Sequence, residues 1–226
     1  AQVRILSYNI KHCQGMDGKV DVARIAAVIR SVEPDIVALQ EVDQIVPRSG
    51  GVPQAEELGR LTGLKAIFGR TIDLDGGQYG NAVLTALPVV RWTNHPLPGS
   101  EPRGVIEVQF EQFQFFATHL DAGRDERPRV ESVAAIERPV KGPALMAGDL
   151  NSVPGSDPIR ALSAAGWSIA GEDRNLLTIP SRAPARQLDF ILFRPANAFR
   201  VIQIRVLDEP VASDHRFLLF SQGYYQ

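Results

Sequence analysis

The sequence predicts an α/β (α+β) fold, two packed mixed β-sheets with helices on their outer faces, and three observations predict it. Roughly ten strand-sized apolar segments interleave with about four helical ones. Several neighbouring strands are separated by few enough residues to be hairpins, which a doubly wound parallel sheet does not use. No low-complexity linker, internal repeat or charge block interrupts the 226 residues, so positions 1–226 read as one domain. A chain that is 44% hydrophobic and 22% charged folds rather than remaining disordered. With 24 Lys and Arg against 26 Asp and Glu, its net charge of −2 excludes a polybasic nucleic-acid or membrane binder. Apolar runs such as Ile36 to Leu39 and Phe190 to Phe193 are too short to span a bilayer, which leaves a water-soluble chain without an integral membrane segment. The single cysteine, Cys13, excludes an intrachain disulfide framework and a thiolate zinc site, and reads as a small buried hydrophobe.

The first strand covers Arg4 to Asn9, and a polar, Gly-containing loop follows from Lys11 to Gly18. Asp21 is placed to cap a helix whose apolar residues Val22, Ile25, Ala26, Ile29 and Val32 recur at helical spacing; Glu33-Pro34 stops it. Asp35 to Gln40 is a buried strand ending at Glu41, which completes a strand-helix-strand unit. A helix from Gln54 to Leu61 stops at Gly63, and a strand follows from Leu64 to Phe68. Gly76-Gly77 reads as a turn. Gly80 to Thr85, Val105 to Phe110 and Phe113 to Thr118 are strands, the last two joined as a hairpin at Glu111-Gln112. Asp125 to Glu137 is a charged, surface-facing helix that Pro128 starts near Arg127. Ala144 to Ala147 is a strand, Asp157-Pro158 opens a helix that ends before Gly166, and Leu188 to Phe193, Phe199 to Val206 and Phe217 to Phe220 are strands. Trp92 and Trp167 are expected in the core.

Polar residues recur at the ends of these apolar strands. Asn9 ends the first and Glu41 the second; His119 and Asp121 follow Phe115 to Thr118; Asp149 and Asn151 follow Leu145 to Ala147; Asp214-His215 precede the last. Strand ends at one edge of a sandwich converge, so these residues are expected in one cluster. Crowded carboxylates need positive charge, and an oxygen-rich donor set without thiolates favours Mg²⁺ or Mn²⁺ over zinc. Magnesium takes one or two protein carboxylates, so Glu41, with Asn9 or Asp214, suffices to hold it. Asp149 is then available to orient water, and His215 or His119 to stabilise phosphoryl oxygens or the leaving group. Asp189 stands between Leu188 and Phe190, so its charge is buried and needs a partner, either Arg186 in a structural salt bridge or a group of the cluster.

Seven fragments, in order and spanning nearly the whole chain, carry a resemblance: Ser7-Tyr8-Asn9, Leu39-Gln40-Glu41, Tyr79-Gly80-Asn81-Ala82-Val83-Leu84, Thr118-His119-Leu120-Asp121, Gly148-Asp149-Leu150-Asn151, Leu188-Asp189-Phe190-Ile191 and Ser213-Asp214-His215. Together they resemble the endonuclease/exonuclease/phosphatase family, particularly its small bacterial members. The resemblance implies a four-layered, deoxyribonuclease I-like α/β sandwich and a Mg²⁺- or Mn²⁺-dependent phosphoesterase working by in-line attack of an activated water. It further implies Glu41 as principal metal ligand with Asn9 and Asp214 nearby, Asp149 and Asn151 on the attacking water and a phosphate oxygen, Asp189 orienting His215, and His119 as second histidine. Lys11 stands where the abasic-site nuclease branch has an acid, and His119 where it has a tyrosine, which points away from that branch.

For substrate binding, Asn81, Asp121, Arg103 and Arg182 are the candidates, with Arg124, Arg127 and Arg186 also in segments near the site. A small phosphate ester is favoured over DNA or RNA, which remain the alternative, as does a module that binds a phosphorylated ligand without cleaving it. No protein partner is inferable. The chain starts at Ala1 without Met, which fits either the bacterial cytoplasm or export after removal of an N-terminal signal.

Overall fold

The computed structural model describes residues 2–224. Asp21 caps the first helix, α1 (Val22–Ser31), its carboxylate accepting from the Arg24 amide at 2.9 Å. This helix connects β1 (Gln2–Asn9) to β2 (Ile36–Gln44), which pair in parallel as the strand-helix-strand reading predicts. Helix α2 (Gln54–Thr62) leads into a long antiparallel hairpin, β3 (Lys65–Leu74) and β4 (Gly77–Thr85), turning at Asp75-Gly76. The expected strand Leu64 to Phe68 is thus only the first half of β3, because the remainder is a half-exposed strand without an apolar run.

The second half of the chain forms β5 (Arg91–Leu97), β6 (Arg103–Gln109), β7 (Gln114–His119), α3 (Arg127–Glu137), β8 (Ala144–Asp149), α4 (Asp157–Ala164), β9 (Ser168–Ile169) and β10 (Asp189–Arg194). It closes with β11 (Phe199–Val206) and β12 (Leu218–Tyr224). The hairpin at Glu111-Gln112 forms, with the Phe110 amide donating to the Phe113 carbonyl at 3.0 Å. Two strands had no sequence signature, the edge strand β5 and the two-residue β9. Trp92 lies on β5 and is 46% exposed, which corrects its expected core position; edge strands leave one side uncovered. Trp167 is buried edge-on against Phe116. Helix α3 starts at Arg127 as expected but is not merely surface-facing, since Val133 and Ile136 are buried beneath it.

Two six-stranded sheets result, ordered β11-β12-β1-β2-β4-β3 and β5-β6-β7-β8-β10-β9, each with parallel and antiparallel pairs. Helices α1 and α2 cover the outer face of the first sheet through Ile25, Ile29 and Leu58, and α3 and α4 that of the second through Ile136, Ile159 and Leu162. The fold is a four-layered α/β sandwich. Between the sheets, alternate residues of each strand build the central core: Ile5, Ile36 and Ala38, Val83, Phe115 and Ala117, Leu145 and Ala147, Ile191. Each fully buried Ile, Leu or Phe contributes roughly 1.5–3 kcal/mol. Continued along the same strands with the same two-residue period, this inward row arrives at Asn9, Gln40, Asn81, His119 and Asp149, and at Asp189 on β10. The top layer of the core is therefore polar.

Candidate active site

Three of these residues are neighbours in the second sheet. Asp149 pairs with His119 on parallel β7 and with Asp189 on antiparallel β10. Two buried carboxylates side by side repel unless a cation joins them. His215, in the loop before β12, supplies it: Nδ1 lies 2.7 Å from Asp189 Oδ2 and Nε2 3.5 Å from Asp149 Oδ2. Burial opposes a charge on this ring, but Asp189 and Asp149 outweigh it and push its pKa up to about 10. Asp189 therefore pairs with His215; Arg186, the alternative partner, is exposed.

Asn9 joins the two sheets. Its Nδ2 donates to Glu41 Oε2 at 2.5 Å and to Asp149 Oδ2 at 3.0 Å, while its Oδ1 accepts from the Lys11 amide. Ser213 Oγ donates to the Asn9 carbonyl at 2.6 Å, tying the loop that carries Asp214 and His215 to the end of β1. Glu41 occupies a bulge: the pairing of β2 with β4 shifts between Leu39 and Val42, and Glu41 itself has φ of 56°. Without that extra residue, the strand alternation would turn Glu41 away from the sheet interface, with Leu39 and Val37. Burial raises the Glu41 pKa; the Asn9 bond opposes the rise, and the nearby Asp214 and Asp149 charges add to it.

His119 Nε2 lies 3.4 Å from Asp149 Oδ2, and its pKa is lowered to about 4, by burial first. Its Nδ1 is 3.2 Å from Nη1 of Arg103. Arg103 and His119 line a narrow cleft with Thr71, Tyr79, Gly80 and Asn81, and Asn81 Nδ2 donates to the Gly104 carbonyl at 3.2 Å. Asn151, with φ of 46°, follows Asp149; its amide N–H donates to Asp149 Oδ1 and its Nδ2 to the Leu120 carbonyl.

The other candidates bond elsewhere. Asp121 is buried and accepts from the Ser100 amide and hydroxyl and from the Gly123 amide, which organises the loops at that edge. Arg182 is exposed, with a 3.5 Å contact to the Met16 carbonyl, and Arg124 and Arg127 are exposed as well. Sequence reading missed Arg48. It forks onto fully buried Asp43 through Nε at 2.9 Å and Nη2 at 2.7 Å and lies over the Tyr79 ring, bringing a guanidinium close enough to be influenced by the Glu41 charge. Its only signal was a charged residue, Asp43, inside the apolar strand β2.

The donor set fits a hard divalent ion. Glu41 and Asp149 offer carboxylate oxygens within 4.8 Å of each other, and the Asp214 and Asp149 charges both act on the buried Glu41 carboxylate, a concentration of negative charge that a divalent cation would relieve. Carboxylates, a cationic and a neutral imidazole, and amides at the lip of a four-layered sandwich define a class of metal-assisted phosphoester hydrolases. The chain belongs to the endonuclease/exonuclease/phosphatase family, whose model matches residues 6–215, and it is a phosphoric ester hydrolase that depends on a divalent metal.

Solved structures agree in fold. An endonuclease/exonuclease/phosphatase from Beutenbergia cavernae is 24% identical, with a TM-score of 0.84 over 99% of this chain and 72% of that one. One from Bacteroides vulgatus is 20% identical, with a TM-score of 0.83 over 100% of both chains. The mannosyl-6-phosphatase of Bacteroides thetaiotaomicron is 18% identical, with a TM-score of 0.79 over 98% of this chain and 100% of that one. No curated protein matches the sequence significantly.

Proposed function

We propose that this enzyme hydrolyses a small phosphate ester by in-line attack of water, with Asp149, His215 and Asp189 at the reacting centre and Mg²⁺ or Mn²⁺ as its ion. The observation that carries this reading is the row His119, Asp149, Asp189 bridged by a cationic His215. Asp149 orients the attacking water through the oxygen that Asn9 also holds. His215, kept protonated by Asp189, donates from Nε2 to a phosphoryl oxygen as negative charge develops there. Asn151, fixed by its bond to Leu120, positions a second phosphate oxygen, and Asn81 and Arg103 pack beside His119. Glu41 and Asp214 would hold the ion, with Asn9 bracing Glu41; once bound, it supplies Lewis-acid polarisation of the phosphoryl group. A likeness in fold to a sugar phosphatase, and a net charge of −2 that offers no field for a long polyanion, support a small substrate over nucleic acid.

The test is hydrolysis of p-nitrophenyl phosphate and its bis-diester in Mg²⁺, Mn²⁺ or EDTA. Metal-dependent turnover is expected, reduced at least about a hundredfold in His215→Ala and in Asp149→Asn while both retain the wild-type circular dichroism spectrum. Undiminished turnover in either folded variant overturns the assignment. Salt-sensitive cleavage of single- or double-stranded DNA without turnover of small esters would instead select the nuclease reading.

A further inference from the structure

We propose that Arg103 is a positioning residue that fixes the tautomer of His119, making this histidine a neutral hydrogen-bond donor through Nε2 and removing it from the metal's ligand set. The argument is one of donor and acceptor inventory. A guanidinium has five N–H donors, no acceptor, and does not deprotonate in proteins. Its Nη1 lies 3.2 Å from His119 Nδ1, so that nitrogen must present its lone pair. The ring's proton is then on Nε2, which lies 3.4 Å from Asp149 Oδ2, so a carboxylate stands near the N–H rather than near the lone pair. A doubly protonated ring would set an N–H against an N–H. A ring protonated only on Nδ1 would do the same and would also leave a lone pair facing a carboxylate.

Arg103 is held for this task. Its side chain is only 10% exposed, and Nη1 also approaches Glu101 Oε2 at 3.4 Å. Gly104, its neighbour in β6, pairs with His119 in β7, so the same ladder that builds the sheet sets the distance between the two side chains. The two active-site imidazoles thus differ by their partners. His215 faces two carboxylates, whereas His119 lies between a carboxylate and a guanidinium. Within the phosphoester reading above, on which this role rests, His119 stands beside Asp149 without carrying charge, and an Nε2 that bears hydrogen cannot coordinate the ion.

The chain has four histidines, which makes the ring nitrogens tractable by long-range ¹H–¹⁵N correlation on the full-length protein, with His119 assigned from His119→Asn. In EDTA, His119 is expected to show an acceptor-type Nδ1 and a protonated Nε2, and Mg²⁺ should leave that pattern unchanged. Arg103→Met, which keeps the bulk and removes the donors, should shift the pattern toward an Nδ1-protonated or exchanging ring, and Arg103→Lys should restore it. In parallel, kcat should fall about tenfold or more in Arg103→Met and recover partly in Arg103→Lys. A wild-type His119 protonated on Nδ1, or one whose Nε2 resonance becomes that of a metal ligand, overturns the proposal. So does an unaltered His119 spectrum in folded Arg103→Met, even with turnover reduced, since Arg103 would then act on substrate alone. If Arg103→Met fails to fold, the wild-type spectra and Arg103→Lys still decide the tautomer. The spectra need no substrate, so they report independently of whether the phosphoester reading holds.

Discussion

His119 and His215 flank the same Asp149 oxygen, yet their environments pull them in opposite directions, and stability should record both. For His215, burial favours the neutral ring but its carboxylate partners prevail, raising the pKa from 6.5 to about 10. Its contribution to stability is complete below pH of about 6.5 and is lost as pH rises through about 10. For His119, burial, with Arg103 assisting, lowers the pKa to about 4. That contribution is complete above about 6.5 and fades as pH falls through about 4. Urea unfolding in EDTA should therefore show the His215→Gln deficit shrinking between about pH 6.5 and 10, and the His119→Gln deficit shrinking between about pH 6.5 and 4. Deficits that do not vary with pH would refute the two assignments. Most of these residues were legible because each ends an apolar run. The pairing of His119 with Arg103 was not, since 16 residues separate them and only the β6–β7 ladder brings them together.

At the scale of single elements, β7 and β8 approach each other so closely at Gly148 that only glycine fits. A Cβ there would stand 2.0 Å from the Thr118 carbonyl oxygen, and backbone cannot yield as a side chain can. Gly148→Ala should spread the two strands, displacing Asp149 and His119 together. We expect destabilisation of about 1–3 kcal/mol and a loss of activity larger than that stability change explains, measured by urea unfolding and kcat under folded conditions. Near the end of β2, Asp43→Ala should cost about 1–3 kcal/mol, because it removes the two Arg48 bonds and the 2.7 Å Ser49 hydroxyl bond to a buried carboxylate. A variant as stable as wild type in urea would show that this fork contributes nothing. Elements with continuous apolar runs, such as β8 and β10, were readable from sequence, and helix α1 declared its cap and its period. Strand β5 was not, because Arg91, Trp92 and Thr93 are all exposed and leave no alternation to detect. The bulge at Glu41 was equally silent: the sequence marks the residue but not the extra step that turns it inward.

For the whole molecule, binding a divalent ion at clustered carboxylates should couple to folding. Mg²⁺ or Mn²⁺ is expected to raise the Tm by roughly 5–10 °C at about a hundredfold excess over Kd, EDTA to reverse it, and Glu41→Gln to blunt it. An unchanged Tm across a millimolar titration would count against the ion site. The sandwich itself was legible from the order and spacing of strands, whereas strand order within each sheet came only from the structure, since crossovers such as β2 to β4 skip a neighbour. The inward rows on β1, β7, β8 and β10 that fill the core also end in Asn9, His119, Asp149 and Asp189. A strand that slipped by one position would send its apolar set to the wrong side and withdraw its polar tip from the cleft in the same movement. Turnover is thus a sensitive gauge of correct strand alignment: a misaligned chain, even one compact enough to pass as folded, should be inert.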